Sequence, residues 1–373
     1  MKQTVKEDKT MMMELSQSDP LLKKTLWTGR IASEAGERLA ILKSVKQELN
    51  NRYLFELKEP SKVQLSSVMK RLVQATRPFS LTATATPGLA ILLSGRVIHG
   101  WSANLILFFL SFFSVILLQA SVNIFNDVHD HLRGIDLPGD LGGSGAIQNG
   151  WFSARGLYGF GCALLFASGL LAVLPLYHFW RAVYGIALIG LIGGIGYSGF
   201  GIGFKYRALG DFVVFILCGP ALCFGFSLVA FHQFSESTFF LGCVFGLAAL
   251  GILHANNLND IEVDQKRGAR TVANQIGFKR SQKYFLFIYV AIFGLCAASI
   301  AFLKVPIWFG LSPLLTSVLV KKVVNQVKIA SGPFSPIISQ IRFEAAQIHL
   351  WIGMSFIFSI LVAGVFGIIL GRQ

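Results

Sequence analysis

The chain has 373 residues, a formal net charge of +14 and a mean hydropathy of +0.60. Apolar residues make up 53% of it and charged residues only 14%, against about 25% charged in an ordinary soluble domain. That balance excludes a disordered chain and leaves too few polar side chains to coat a water-soluble enzyme, so a polytopic membrane protein is the reading left.

Residues 1–77 hold 15 Lys and Arg with 9 Asp and Glu, and show no cleavable signal peptide. They read as a polar, partly helical cytoplasmic extension over 1–70, ahead of a transmembrane domain over 71–373. Within the extension, Leu39, Leu42, Val45 and Leu49 recur at helical spacing, which predicts a helix across 33–50. After Pro60, Leu65, Val68, Met69 and Leu72 repeat that pattern among Lys62, Lys70 and Arg71. This second stretch reads as an amphipathic helix, lying on the membrane surface or docking on the protein.

Beyond Arg77, nine apolar segments suit a bilayer, which about 20 helical residues cross. They lie near 79–96, 101–125, 153–176, 180–200, 210–231, 238–258, 284–303, 305–320 and 347–370. The fold class expected is therefore an all-α polytopic bundle of about nine transmembrane helices with an N-terminal extension. Placing the N-terminus inside puts 29 of the 33 Lys and Arg on the cytoplasmic side. This asymmetry predicts an inside N-terminus and an outside C-terminus; the compartment expected is a bacterial plasma membrane, with organelle membranes left open. The five cysteines all fall in apolar stretches without metal-ligand spacing and read as packing residues.

Only ten Asp and Glu follow residue 77, and eight gather at three helix ends: Asp127, Asp130, Asp136 and Asp140; Asp211; and Asp260, Glu262 and Asp264. Carboxylates near a bilayer are costly unless paired or bound to a cation. Asp127 and Asp130 are i,i+3 and Asp260 and Asp264 are i,i+4, so each pair shares one helix face. Two such pairs repel unless a hard cation joins them. Mg²⁺ suits oxygen ligands and is commonly held by one or two carboxylates with substrate phosphates. The pattern points to a Mg²⁺-bridged polyphosphate substrate. Because the acids sit at wet helix ends, their removal is expected to leave the bundle folded.

The first motif, from Asn126 to Asp136, reads NDxxDxxxxxD; the second, from Asn256 to Asp264, reads NNxxDxxxD. These resemble the two aspartate-rich motifs of the UbiA superfamily of intramembrane prenyltransferases. The likeness covers about residues 72–370. It extends to Arg77-Pro78, to Gly142-Gly143-Ser144 with Ile147-Gln148, to the run from Lys205 to Asp211 ahead of Gly219-Pro220, and to the run from Gly268 to Thr271. Those features are most similar to the 1,4-dihydroxy-2-naphthoate polyprenyltransferase branch. The resemblance implies a nine-helix bundle around a cavity open to lipid. It also implies transfer of a prenyl group from an allylic polyprenyl diphosphate to an aromatic acid, giving demethylmenaquinone with loss of CO₂ and diphosphate.

On this reading Asp127, Asp130, Asp260 and Asp264 are the catalytic, Mg²⁺-binding acids. Lys205, Tyr206, Arg207, Arg270 and Arg77 reach the diphosphate, and Asn123, Asn126, Asn256 and Asn257 orient it. Asp211 is expected to position Arg207, and His254 to be a packed, hydrogen-bonded residue. Partners are the two substrates and the lipid bilayer, with no nucleic acid. Two alternatives stay open: a different aromatic acceptor (homogentisate or a 4-hydroxybenzoate-like ring) and an ion-coupled transporter. Since all this chemistry lies after Arg77, residues 1–60 are expected to be dispensable for turnover. The competing expectation is that the extension folds over the cavity and orders the cap above it.

Overall fold

A computed structural model describes residues 11–33, 36–47, 51–59, 65–138, 143–199, 201–302 and 307–369; Asp140, Gly142 and Lys62 lie outside them. The chain divides into two compact units, one of residues 1–77 with 123–162 and one of 78–122 with 163–373. This division differs from a simple boundary at residue 70, because residues 123–162, which carry the first acidic motif and the loop after it, join the N-terminal unit.

The N-terminal unit contains a sheet. Strands β1 (Met11–Ser16), β2 (Arg30–Ser33), β3 (Gly36–Lys46) and β4 (Arg52–Lys58) form an antiparallel sheet in the order β1-β4-β3-β2. Helix α1 (Pro20–Thr28) connects β1 to β2. Asp19 caps α1 by accepting from the Leu21 amide, Pro20 opens it, and left-handed Gly29 closes it. Leu22 and Leu26 of α1 pack on Leu15, Ile31, Ala40, Leu42, Tyr53, Phe55 and Leu57 of the sheet. The helix expected over 33–50 is therefore a strand over its central part. A register shift between Leu42 and Ser44 inserts one residue into β3. Beyond such a bulge the alternation of faces reverses, so Leu42 and Val45 share a face although three residues apart. That spacing mimics a helix.

Helix α2 (Leu65–Ala75) forms where the second amphipathic pattern lies. Its Met69 and Val73 are exposed, while Arg71 stacks 5.3 Å above the ring of Trp151.

The remaining helices are α3 (Thr82–Leu93), α4 (Leu105–Leu132), α5 (Ala154–Gly196, kinked at Phe179), α6 (Gly210–Cys218), α7 (Pro220–Phe231), α8 (Glu236–Lys266), α9 (Val272–Ile276), α10 (Phe278–Phe302), α11 (Ile307–Leu311), α12 (Ser317–Ile329) and α13 (Pro336–Ile369). Among the described residues, seven stretches are long and apolar enough to cross a membrane. The segment expected over 180–200 is a shorter apolar helix, Val183–Gly196, and the one over 305–320 is split among short helical pieces.

Helix α8 lies at the centre of the larger unit, packed by α3, α6, α7, α10 and α13. With 31 residues it is roughly 46 Å long, well beyond the ~30 Å hydrocarbon, so an end must project. Asp260 and Asp264 lie in its last two turns, and α4 likewise carries Asp127 and Asp130 in its last two turns. Between α6 and α7, Gly219 approaches Gly246 of α8 so closely that a Cβ at 219 would lie 2.6 Å from the Gly246 Cα. The break at Gly219-Pro220 thus brings α6 against α8.

Candidate active site

The first acidic group is built at the end of α4. Asp127, Asp130 and Asp136 are buried, with 3%, 1% and 7% of their surface exposed; the wet helix end expected for them is a correction. The chain folds back after α4, with the Ile135 amide donating to the Asp130 carbonyl at 2.8 Å. Arg77 donates to Asp127 Oδ1, and the backbone amide of Ser144 donates to Asp127 Oδ2 at 3.1 Å. Both oxygens of one carboxylate are therefore held.

The Arg77 guanidinium is half-buried, and burial by itself lowers its pKa. The negative charges of Asp127, Asp136 and Asp130 outweigh that effect and raise it above its ordinary value. Its backbone is left-handed, at φ +54°, an uncommon conformation for a residue with a Cβ. The Asn123 amide donates to the Thr76 carbonyl at 2.9 Å, tying down the turn that carries Arg77. Asn123 thus anchors the turn before Arg77. Asn126 Oδ1 is buried with no hydrogen-bond partner among the described residues. A buried carbonyl oxygen left so is costly and is a natural ligand for a hard cation.

The loop beyond α4 wraps onto these acids. A Cβ at Gly143 would lie 2.5 Å from Asp136 Oδ2 and 3.7 Å from Asp127 Oδ1, so a larger residue there would have to displace the Asp136 carboxylate. Gln148 Nε2 donates to the Asp136 carbonyl at 3.3 Å.

The second group is built around α8, in the larger unit. The Ala208 amide donates to the Arg270 carbonyl at 2.7 Å, and the Arg270 amide to the Tyr206 carbonyl at 3.2 Å. This bridge joins the loop bearing Lys205, Tyr206 and Arg207 to the segment after α8. The Lys205 ammonium sits 5.8 Å above the Tyr206 ring. Arg207 donates to the Gly201 carbonyl at 3.1 Å.

Asp211 is buried at the start of α6 and does not serve Arg207 as expected. It accepts from Asn257 Nδ2 at 3.5 Å and faces His254 Nδ1 at 3.8 Å, and the Tyr284 ring packs edge-on against His254 at 4.7 Å. The physical reason is the close α6–α8 approach at Gly219, which turns Asp211 toward α8. His254 is buried, with Nε2 3.1 Å from the Ser281 carbonyl, the packed residue expected. Asp264 is buried, Asn256 and Asp260 are half-buried, and the Asn259 amide donates to Asp260 Oδ1 at 2.7 Å.

Sequence reasoning missed two features: the backbone amide of Ser144 on Asp127, and the Asp211–Asn257–His254–Tyr284 cluster. No spacing rule reports a contact across about 46 residues. The unpartnered carbonyl of Asn126 and, separately in the larger unit, the half-buried carboxylate of Asp260 are hard oxygen donors. Among the described residues no three His, Cys, Asp or Glu side chains form a ready-made metal cage.

Buried acids thus stand at the ends of two long apolar helices, Asp127 and Asp130 on α4 and Asp264 on α8. The chain matches the UbiA prenyltransferase family over residues 81–330, and it belongs to that family. It is an intramembrane prenyltransferase.

The chain is 30% identical over 306 residues to UbiA prenyltransferase domain-containing protein 1 of Gallus gallus, covering 78% of this chain and 84% of the relative. It is 26% identical over 303 residues to the 1,4-dihydroxy-2-naphthoate octaprenyltransferase of Haemophilus influenzae, covering 78% and 96%. The enzyme of that name in Bacillus subtilis is 28% identical over 221 residues, covering 58% and 69%. In structure, the fold resembles that of a UbiA homolog from Archaeoglobus fulgidus bound to GPP and Mg²⁺. The TM-score is 0.54 at 17% identity, covering 77% of this chain and 99% of that one.

Proposed function

We propose that the enzyme transfers a polyprenyl group from an allylic polyprenyl diphosphate to 1,4-dihydroxy-2-naphthoate. Diphosphate and CO₂ leave, and demethylmenaquinone forms in its reduced, quinol state. The observation that carries prenyl transfer is the buried acid group of Asp127, Asp130 and Asp136 with Arg77 and the unpartnered Asn126 carbonyl. The acceptor is supported by the names of the Haemophilus and Bacillus relatives and by the spacing of the first motif.

Asp127, Asp130, Asp260 and Asp264, with Asn126, would hold Mg²⁺, which when bound would supply charge stabilisation to a departing diphosphate. Lys205, Arg207 and Arg270 bind the phosphate oxygens, Arg by two-point contact. Asn257 has its amide NH₂ committed to Asp211, so its carbonyl oxygen is the group left to act on the substrate side. Asn256 sits beside it on α8. Tyr206, under the Lys205 ammonium, keeps that cation near the bilayer surface. The allylic carbon loses its bond to the diphosphate oxygen as the carboxyl-bearing ring carbon bonds to it. The carboxyl group then leaves as CO₂, and its electron pair restores the aromatic ring.

The concentration of Lys and Arg on one side supports a cytoplasmic N-terminus and an outside C-terminus; the membrane proposed is a bacterial plasma membrane, with an organelle membrane as the alternative. The test supplies purified enzyme with Mg²⁺, one polyprenyl diphosphate and a panel of aromatic acids, and identifies products by mass. The naphthoate is expected to be used best. Prenylation of homogentisate or 4-hydroxybenzoate without the naphthoate moves the enzyme to another acceptor class.

A further inference from the structure

The N-terminal sheet grips the loop that holds the first acids. Ala40 and Leu42 face the sheet's own core, so Ile41 between them faces the opposite side. It is nevertheless buried, at 9% exposure. What covers it is the loop: a Cβ at Gly150 would lie 2.7 Å from Ile41 Cδ1, and Gly150 is left-handed at φ +66°. A larger residue at 150 would strain this left-handed backbone and push on the Ile41 side chain. At the loop's other end Gly134, also left-handed, would meet Val45 at 3.2 Å and Tyr53 at 3.7 Å if it had a Cβ. Leu132 and Leu137 pack against the sheet's apolar core. His131 Nε2 lies 3.3 Å from the Leu26 carbonyl, and the rings of Trp27 and Tyr158 are 5.5 Å apart.

Between these two grips lie Asp136, Gly143 and the Ser144 amide on Asp127. Within the turn the Asn149 amide donates to the Gly145 carbonyl at 2.9 Å and the Gly150 amide to the Ile147 carbonyl at 2.9 Å. A displacement at Gly150 is therefore passed to Ser144 through a closed turn only a few residues long.

We propose that the N-terminal sheet is a clamp that positions Asp127 and Asp136, and that Ile41 is its principal positioning residue. This rests on the prenyltransferase reading above, and it reverses the expectation that residues 1–60 are dispensable. Positioning groups behind metal-binding side chains govern metal affinity more than any chemical step they do not touch.

The test uses the full chain, with Ile41→Ala, the conservative Ile41→Val, and a chain lacking residues 2–58. Two readouts are taken on monodisperse protein: hydrogen exchange of residues 143–153, and the Mg²⁺ concentration for half-maximal turnover. Ile41→Ala is expected to speed exchange of 143–153 about tenfold and to raise half-saturating Mg²⁺ roughly tenfold. Exchange in residues 256–266 stays unchanged, and Ile41→Val restores both readouts. The deletion should produce the same changes, larger. Unchanged exchange in 143–153 for both Ile41→Ala and the deletion overturns the clamp, whatever happens to turnover. If no chain, intact protein included, prenylates any acceptor, the functional reading fails. The exchange measurement then still decides the clamp.

Discussion

Arg77 and Asp127 supply the sharpest energetic test of the first acid group. Asp127 is buried and paired with Arg77, whose side chain is 25% exposed and also lies in the field of Asp130 and Asp136. Removing one partner of a fully buried pair costs about 3–5 kcal/mol, because the other charge is left uncompensated. Here two further carboxylates and partial exposure soften the loss of Asp127, so about 2 kcal/mol is expected. Losing Arg77 leaves three buried carboxylates together and costs at least as much. The variants are Arg77→Gln, Asp127→Asn and the double; Asn retains an acceptor for the Ser144 amide. Each single change should lower the apparent Tm by roughly 4 °C in one fixed detergent, taking about 2 °C per kcal/mol for a large chain. The double variant should lose clearly less than the sum, for a coupling of about 1–2 kcal/mol. Additive losses would refute the pairing as the support of this site.

Other expectations concern the second group and the sheet. Asp260→Ala and Asp264→Ala should each lower kcat about 100-fold or more, as expected when charge stabilisation is lost; EDTA should abolish turnover of the intact enzyme and Mg²⁺ restore it. Near wild-type rates in both variants at saturating Mg²⁺ would remove the second motif from the chemistry. Asp211→Leu should leave the Asn257 amide without its acceptor. It should lower turnover about tenfold, whereas Arg207→Ala should act on the KM for the diphosphate; an unchanged Asp211→Leu rate argues against a positioning role. In the sheet, the Lys43 ammonium hydrogen-bonded to Glu56 holds that carboxyl below its ordinary value of 4.5, with burial opposing and Lys58 assisting. The pair's stabilisation is complete above 4.5 and is lost as pH falls through the lower folded value. Acid unfolding of the sheet, followed by exchange of residues 52–58, should therefore lose this component in Glu56→Gln. An identical acid profile in that variant would contradict it.

The transmembrane part was legible because its signals are local. Runs of apolar residues mark spans, and acid pairs three or four apart mark helix faces. Seven spans stand out among the described residues, while Pro313 falls where the expected eighth helix is split. The N-terminal sheet was not legible. The bulge after Leu42 places Val45 on the same face at a helix-like interval, and strand pairing such as Leu15 with Tyr53 spans 38 residues. The candidate residues themselves were readable from motifs, but their partners were not. Asp211 belongs to Asn257 and His254 because Gly219 lets two helices approach. Asp127 is held by a backbone amide, which no side-chain pattern reports. Burial of the first acids was misjudged for the same reason, since the loop that covers them is fixed by contacts with the sheet.

The central claim is Mg²⁺-dependent prenyl transfer coupled to decarboxylation. It is tested most directly by counting CO₂ and diphosphate released from carboxyl-labelled 1,4-dihydroxy-2-naphthoate and a polyprenyl diphosphate. The account predicts equal amounts of both, formed together with the prenylated quinol and only when Mg²⁺ is present. A prenylated product that keeps its carboxyl group, or equal release in the presence of EDTA, would contradict it.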